Sequence, residues 1–122
     1  MDSRKTILIC DDEPALRELI RASLDDGYLF AEASDGLTAL ELAREVEPDV
    51  VILDLMLPRL GGLEVLARLQ ADEHLRSVPV LVITAWNETR EDVIAAGAAD
   101  FASKPFDPEA LRRAIEKLLE VA

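Results

Sequence analysis

Residues 50–58 read VVILDLMLP, and this stretch decides the fold. Its first four residues form a continuous apolar run, which is typical of a β-strand buried on both faces. Asp54 follows directly, and further apolar residues come after it. A buried carboxylate costs free energy unless it is paired with a cation, hydrogen-bonded or bound to a metal. The rest of the sequence should therefore contain the groups that compensate the charge of Asp54.

The stretch belongs to a regular alternation of strands and helices. Apolar runs predict strands at the following positions: 5–10, 28–33, 49–54, 79–84 and 100–104. Helical spacing of apolar residues predicts a helix after each strand: one closed by Gly27, one over about 37–46, one starting near Leu63, one over about 88–96, and one containing Leu111 and Leu119. This pattern predicts a single α/β domain over residues 1–122, with a doubly wound parallel sheet covered by helices on both faces.

Polar side chains stand at the carboxyl ends of four predicted strands. Asp11 and Asp12 follow the first strand and Asp54 ends the third. Thr84 and Lys104 end the fourth and fifth. Ligands of doubly wound folds bind beyond the carboxyl ends of the strands, so we expect these five side chains to form one site.

Three of these residues also have simpler interpretations. Asp12 precedes Glu13 and Pro14, so it could be only the N-cap of the first helix. Thr84 could cap the fourth helix or merely end a strand, and Lys104 could be a solvated surface charge. The occurrence of all five at one edge favours a functional site.

The side-chain types at this edge constrain its chemistry. A site rich in carboxylates, without His or Cys, suits a hard cation such as Mg²⁺, or Mn²⁺, rather than zinc. An aspartate screened by such a metal is a nucleophile toward a phosphoryl group. Phosphoryl transfer requires positioning and positive charge, which Thr84 and Lys104 would supply. The sequence therefore predicts an acyl phosphate on Asp54.

Composition limits the partners of the chain. A net charge of −12 over 122 residues disfavours direct nucleic-acid binding by this domain and binding to anionic membranes. Cys10 is the one cysteine, so no internal disulfide can form, and a reducing, cytoplasmic compartment is expected. We find no stretch typical of a signal peptide or a membrane span.

Four segments together resemble the receiver domain of bacterial two-component response regulators, over essentially the whole chain. The segments are ILICDDEP, VVILDLMLPRLGGLEVL, VPVLVITA and GAADFASKPF. The resemblance implies a flavodoxin-like (βα)5 fold with strand order 2-1-3-4-5. It also implies a phosphorylation-dependent signalling switch and not an enzyme, apart from self-phosphorylation and slow self-dephosphorylation.

The resemblance assigns roles around the metal. Asp54 would be the phosphoacceptor and a metal ligand. Asp12 would bind Mg²⁺ directly, and Asp11 would act largely through water. Met56 would offer its backbone carbonyl.

The resemblance also assigns the response to phosphorylation. Thr84 and Lys104 would hold the phosphoryl group, and Phe101 would be the switch aromatic that packs inward. The peptide bond between Lys104 and Pro105 would be cis. Phosphorylation would then shift the face built from helix 4, strand 5 and helix 5.

The implied partners lie on both sides of the switch. A histidine kinase or a histidine phosphotransfer protein would donate the phosphoryl group. A downstream effector protein or a fused output domain would read the result, and no output domain is expected within residues 1–122. A phosphorylation-dependent dimer is compatible with the resemblance.

Some residues depart from the family pattern. Gly61 stands where the family often has an acidic or small polar residue, Ala99 replaces the first of a frequent acidic pair, and segment 84–97 is shorter than expected. These departures weaken inferences about helix 4 and the dimer face. Trp86 and Met56 are either ordinary rim residues or bulky groups that impede the attacking water and prolong the phosphorylated state.

Two rival functions remain at this point. A phosphatase of the haloacid dehalogenase type requires Asp-x-Asp after its first strand, whereas this chain has Asp11-Asp12-Glu13 and lacks a cap domain. A pseudo-receiver would keep the fold as a docking module without being regulated by phosphorylation. The presence of every expected residue type argues against the pseudo-receiver.

Overall fold

The computed structural model describes residues 3–24, 27–85 and 90–121. Strands and helices alternate along these ranges. The strands are β1 (Lys5–Cys10), β2 (Tyr28–Ala33), β3 (Val50–Asp54), β4 (Val80–Thr84) and β5 (Asp100–Ser103). The helices are α1 (Pro14–Ser23), α2 (Gly36–Val46), α3 (Gly62–Ala71), α4 (Arg90–Ala95) and α5 (Pro108–Val121).

The five strands form one parallel sheet in the order β2-β1-β3-β4-β5. This order confirms the predicted doubly wound α/β fold. β3 lies at the centre of the sheet and is buried at every residue, as its apolar run predicts. In the register of the sheet, Asp54 lies opposite Ile83, one residue before the end of β4, and Thr84 lies opposite Ser103. The ends of these strands therefore meet at one edge.

Alternate strand residues pack on opposite faces of the sheet. Leu8, Val51 and Val82 belong to a cluster that α2, α3 and α4 cover. Ile7 and Ile52 belong to a second cluster, which α1 and α5 cover. Burial of both faces explains why the strands are apolar at consecutive positions rather than at every second one.

Several element boundaries differ from the sequence prediction. α1 ends at Ser23 rather than near Gly27, because Leu24 adopts an extended conformation (φ −100°, ψ 152°) and buries its side chain under the sheet. β4 begins at Val80 because Pro79 has no N–H to donate, although its carbonyl accepts a hydrogen bond from Val51. Gly97, at φ +116°, follows the end of α4 as predicted, whereas the predicted start of that helix falls outside the described residues.

In the described ranges, every helix is too short or too polar to cross a lipid bilayer.

Candidate active site

Three carboxylates converge at the carboxyl edge of the sheet. One oxygen from each of Asp11, Asp12 and Asp54 lies within 4.8 Å of the other two. Asp11 is fully buried and Asp54 is 2% exposed, whereas Asp12 is exposed. The structure thus brings the three predicted acids together from the ends of two adjacent strands.

Local hydrogen bonds orient the two buried acids. The Oδ1 atom of Asp11 accepts a hydrogen bond of 2.9 Å from the amide of Glu13, and its own amide donates to the carbonyl of Ala33 in β2. The Oδ1 atom of Asp54 accepts a hydrogen bond of 3.0 Å from the amide of Met56. Each acid therefore satisfies one oxygen through the backbone two residues further on, which turns the other oxygen toward the centre of the site.

Lys104 supplies the nearest positive charge. Its Nζ donates a hydrogen bond of 2.7 Å to Oδ2 of Asp54 and lies 3.0 Å from Oδ2 of Asp11. Glu13 is a more distant neighbour, at 3.6 Å and largely exposed. Although burial disfavours the charged amine, the hydrogen bond to Asp54 and the negative charges of Asp11 and Asp54 outweigh it and raise the pKa of Lys104. The amine is therefore a firmly protonated cation between two acids.

Asp11 is the most constrained carboxylate of the site. Burial raises its pKa above the ordinary aspartate value, even though the Glu13 amide and Lys104 act in the opposite direction. Its Oδ2 atom is buried, and among the described residues its nearest cation is Lys104, whose Nζ lies 3.0 Å away but outside hydrogen-bond geometry. A buried carboxylate oxygen that makes no hydrogen bond, beside two other carboxylates, matches the oxygen-only ligand set that Mg²⁺ prefers.

The neighbouring Cys10 has a structural role. It is fully buried at the end of β1, and burial together with the charge of Asp11 raises the pKa of its thiol. The residue is therefore a small core side chain rather than a reactive thiolate.

Thr84, Phe101 and Lys104 lie at the β4 and β5 ends of the same edge. Thr84 is buried, and its carbonyl accepts a hydrogen bond of 3.1 Å from the amide of Lys104. Phe101 is half-buried and packs against the cluster under α2, α3 and α4. The Lys104–Pro105 peptide bond is cis. The structure thus places the Thr84 side chain on the strand next to Asp54.

The loop between β3 and α3 is held by close backbone contacts. The amide of Gly36 donates to the carbonyl of Pro58 (3.2 Å), and a Cβ atom at Gly36 would lie 1.9 Å from the carbonyl oxygen of Leu60. Arg59 has φ +68° and contacts Asp35 at 3.5 Å. The pKa of Asp35 is lowered, chiefly by the hydrogen bond from the Thr38 amide.

Met56 lies in this loop, next to the site. The residue is 57% exposed and lines a groove with Asp12. Trp86 lies outside the described residues. The hypothesis that the two side chains prolong the phosphorylated state stays a prediction.

The N-cap interpretation of Asp12 is wrong. The N-cap residue of α1 is Glu13, with Pro14 at the first helical position, and the Glu13 side chain makes no capping hydrogen bond. Proline suits this first position, because the N–H that it lacks would have no partner within the helix. Asp12 is left exposed beside the two buried acids.

Sequence reasoning missed one polar contact to the site. Arg17 of α1 donates through Nη1 to the carbonyl oxygen of Asp11 (2.6 Å) and through Nε to Glu32 of β2 (2.9 Å). The available signal was Glu32 itself, an acid inside the apolar strand sequence YLFAEA. An acid at such a position calls for a cationic partner from a packed helix.

Comparisons with known proteins agree with this architecture. Residues 7–116 match the family model of the response regulator receiver domain. The chain is 39% identical over 116 residues to the DNA-binding dual master transcriptional regulator RpaA of Synechocystis, covering 93% of this chain and 48% of that protein. It thus spans about half the length of the curated relatives it matches.

Solved receiver domains share the fold. The receiver domain of the Francisella response regulator 1452 superposes with a TM-score of 0.89 at 26% identity, covering 97% of this chain and 98% of that one. The receiver domain of the sensor histidine kinase PA1611 of Pseudomonas aeruginosa, solved with magnesium in its active-site cleft, gives 0.87 at 30% identity, covering 97% and 99%. From the family model and these similarities, the chain belongs to the response regulator receiver domain family of two-component signalling.

Proposed function

We propose that this receiver domain is a phosphorylation-dependent switch whose phosphoacceptor is Asp54. The observation that carries the proposal is the surroundings of Asp54: a buried carboxylate, hydrogen-bonded to the Lys104 amine at 2.7 Å and within 4.8 Å of the oxygens of two further aspartates. This combination supports a nucleophilic carboxylate with a cation ready to receive an incoming phosphoryl group.

The proposed reaction transfers a phosphoryl group from a phosphohistidine. A carboxylate oxygen of Asp54 attacks phosphorus and forms an O–P bond, while the P–N bond breaks and its electron pair stays on the imidazole nitrogen. The Oδ1 atom accepts a hydrogen bond from the Met56 amide, and Oδ2 accepts one from Lys104, so both oxygens are oriented before the attack. Transfer of this kind depends mainly on positioning and charge stabilisation.

We propose Mg²⁺, with Mn²⁺ as an alternative, as the metal of this site. Asp11, Asp12, Asp54 and the carbonyl of Met56 would hold it, and the buried Oδ2 of Asp11 that makes no hydrogen bond supports this ligand set. The ion would supply positive charge against the phosphoryl oxygens. The Mg-bound PA1611 receiver domain, which is 30% identical to this chain, also supports the choice of metal.

The new phosphoryl charge would act on the β4 and β5 ends of the sheet edge. Lys104 would contact a phosphoryl oxygen and Thr84 would donate a hydrogen bond from its hydroxyl. Movement of Thr84 would let Phe101 pack inward, since Phe101 is only half-buried. The domain would thereby shift between two pre-existing states of the face formed by α4, β5 and α5.

The partners follow from this chemistry. A histidine kinase or histidine phosphotransfer protein in the cytoplasm would donate the phosphoryl group. Because RpaA, a relative about twice as long, is named a DNA-binding regulator, the reader of the switch would be a fused output domain or a separate effector. The domain itself, at a net charge of −12, would not bind nucleic acid.

The proposal is tested by phosphorylating the chain with a small acyl phosphate donor and Mg²⁺, then measuring intact mass. We expect the wild type to gain one phosphoryl group, Asp54→Asn to gain none, and EDTA to prevent the gain. Asp72→Asn is the matched control, because Asp72 caps the end of α3 and contacts the amide of His74.

Two results would contradict the proposal. A wild-type chain that gains no phosphoryl group and shows no Mg²⁺-dependent change near Phe101 with beryllofluoride would favour the pseudo-receiver. Steady hydrolysis of a generic phosphomonoester would favour a phosphatase.

A further inference from the structure

Arg17 links three parts of the fold at the edge of the acidic site. It projects from the first turns of α1, and its guanidinium reaches the carbonyl oxygen of Asp11 at 2.6 Å. The same guanidinium donates through Nε to Glu32 of β2 at 2.9 Å. The side chain is 17% exposed, so the contacts are largely shielded from water. Buried hydrogen bonds to charged donors are the strong ones in proteins.

The accepting carbonyl belongs to the peptide that joins two proposed metal ligands. Its oxygen is part of Asp11 and its nitrogen is part of Asp12, so the orientation of this peptide plane constrains the relative positions of the two Cα atoms that carry these side chains. The Asp11 amide is fixed on the other side by Ala33, and the Asp11 carboxylate by the amide of Glu13. Arg17 therefore holds the Asp11 carbonyl, which is the group that connects Asp11 to the exposed Asp12.

Glu32 fixes the orientation of the guanidinium. It pairs with Arg17 at 2.9 Å and with Arg21, one helical turn further on, at 3.3 Å. Arg21 does not share the contact to the Asp11 carbonyl that Arg17 makes. Substituting Arg21 therefore removes only an ion pair with Glu32, whereas substituting Arg17 also removes the hydrogen bond to the Asp11 carbonyl.

We infer that Arg17 is a positioning residue for the metal site, which it serves by fixing the Asp11–Asp12 peptide. The inference rests on the proposed function, since it assumes that these aspartates bind Mg²⁺. Charge alone predicts the opposite effect, because a cation beside a metal site weakens metal binding. If removing Arg17 weakens Mg²⁺ binding, Arg17 acts by positioning the ligands; if removing it strengthens Mg²⁺ binding, its charge dominates.

The experiment is an Mg²⁺ titration of the full chain by calorimetry, with the amide signal of Asp12 followed by NMR before metal is added. Loss of a residue that orients metal ligands typically weakens affinity by 10–100-fold, so we expect Arg17→Ala to weaken Mg²⁺ binding about tenfold. We expect Arg17→Lys to weaken Mg²⁺ binding less than Arg17→Ala does, because its amine can satisfy either Asp11 or Glu32. It should not restore full affinity, since one amine cannot satisfy both. The Asp12 amide signal should shift in Arg17→Ala without metal.

Two arginine variants are the controls. Arg21→Ala removes a partner of Glu32 but leaves the Asp11 contact, and we expect Mg²⁺ affinity within about twofold of wild type. Arg68→Ala makes the same charge change on α3, where Arg68 pairs with Glu64, and should bind Mg²⁺ like the wild type. At saturating Mg²⁺, phosphorylation of Arg17→Ala should recover, which loss of folding would not allow.

The outcomes separate the inference from the proposed function. If Arg17→Ala binds Mg²⁺ as tightly as wild type, or more tightly, the inference is wrong while the proposed function stands. An equal loss in Arg68→Ala would also overturn it, because the effect would then be general. Absence of Mg²⁺ binding by the wild type would overturn the proposed function, and the inference with it.

Discussion

β3 is buried along its whole length, whereas β5, at the margin of the same sheet, is half-buried or exposed at every residue. The carboxyl edge has two correspondingly different sides. The acid side comprises the ends of β1 and β3 with residues 11–13 and 55–62, and also Gly36, which packs on Leu60; it carries the three aspartates. The switch side comprises the ends of β4 and β5 together with α4, which is described over Arg90–Ala95.

The two sides are held by different kinds of contact. On the acid side, glycines let backbone segments pack directly on each other, as at Gly36 and Gly62. On the switch side, Arg90 joins α4 to β5 through one ion pair to Asp100 and one hydrogen bond to the carbonyl of Phe101. Regions with few buried contacts open at lower free energy than the core. We therefore expect the acid side to hold the ligands and the switch side to move.

The largest effect should come from breaking the acid side at Gly62. A Cβ atom there would lie 2.5 Å from both the carbonyl oxygen of Asp54 and the Cα atom of Leu55, and neither is a flexible side-chain end. We expect Gly62→Ala to lower the free energy of unfolding by about 2–3 kcal/mol, as for overpacked sites in general. Urea unfolding followed by circular dichroism measures this.

Gly61 is the matched control for that substitution. It has φ −64° and ψ 155°, and a Cβ atom would find open space. Gly61→Ala should stay within about 0.5 kcal/mol of wild type, because the gain from a stiffer unfolded chain offsets a poorer N-cap. Equal destabilisation by the two substitutions would show that close packing is not what holds the acid side.

A smaller effect is expected at Lys104, which joins the two sides. Lys104→Met removes the cation that lies 2.7 Å from Asp54 and 3.0 Å from Asp11, and leaves two buried acids without it. We expect a loss of about 2 kcal/mol in unfolding free energy at pH 7 without metal, since a buried group left without its hydrogen-bond partner costs about 1–3 kcal/mol. Saturating Mg²⁺ should reduce this difference, because the ion meets no competing amine in the variant, binds its folded state more tightly and so stabilises it more than the wild type.

The measurement is urea unfolding of both proteins with EDTA and with excess Mg²⁺. Gln70→Met is a control of similar size, since the hydrogen bond of 3.3 Å from Gln70 to the carbonyl of Gly97 is exposed. A Lys104→Met deficit that is unchanged by Mg²⁺ would mean that the amine and the metal do not neutralise the same carboxylates.

The difference between the sides also explains what the sequence could predict. The bounds of β1 and β2 were predictable, because apolar runs and helical spacing are local signals. The order of the strands was implied by the resemblance to the receiver family, and the structure confirms it. The convergence of Asp11, Asp54 and Lys104 was predictable too, since parallel topology alone brings strand ends together.

Contacts that depend on how distant segments pack were not predictable. Nothing local to Gly36 indicates that the carbonyl of Leu60 lies where its Cβ atom would be. Nothing local to Arg17 indicates that it reaches back to the carbonyl of Asp11. The end of α1 was misplaced for the same reason, because burial of Leu24 in the core outweighed the helical spacing of its sequence.

The smallest effect should come from loosening the switch side at Arg90. Its ion pair with Asp100 spans 2.6 Å, but the Arg90 side chain is 60% exposed, and exposed pairs contribute only about 0–1 kcal/mol. We expect Arg90→Ala to change the global free energy of unfolding by less than about 1 kcal/mol. Amide hydrogen exchange in α4 and β5 should nevertheless become faster, because opening of this side needs less free energy than global unfolding.

The control for Arg90 is an ion pair of similar exposure on α3, which is not part of the switch side. Arg68 of α3 contacts Glu64 at 3.1 Å and is 50% exposed, yet both residues belong to one helix and join no two elements. Arg68→Ala should therefore match Arg90→Ala in global stability while leaving exchange in α4 and β5 unchanged. If exchange there stays at the wild-type rate in Arg90→Ala, the ion pair does not hold the switch side, and its mobility must be set by the packing of Phe101 and Val93 instead.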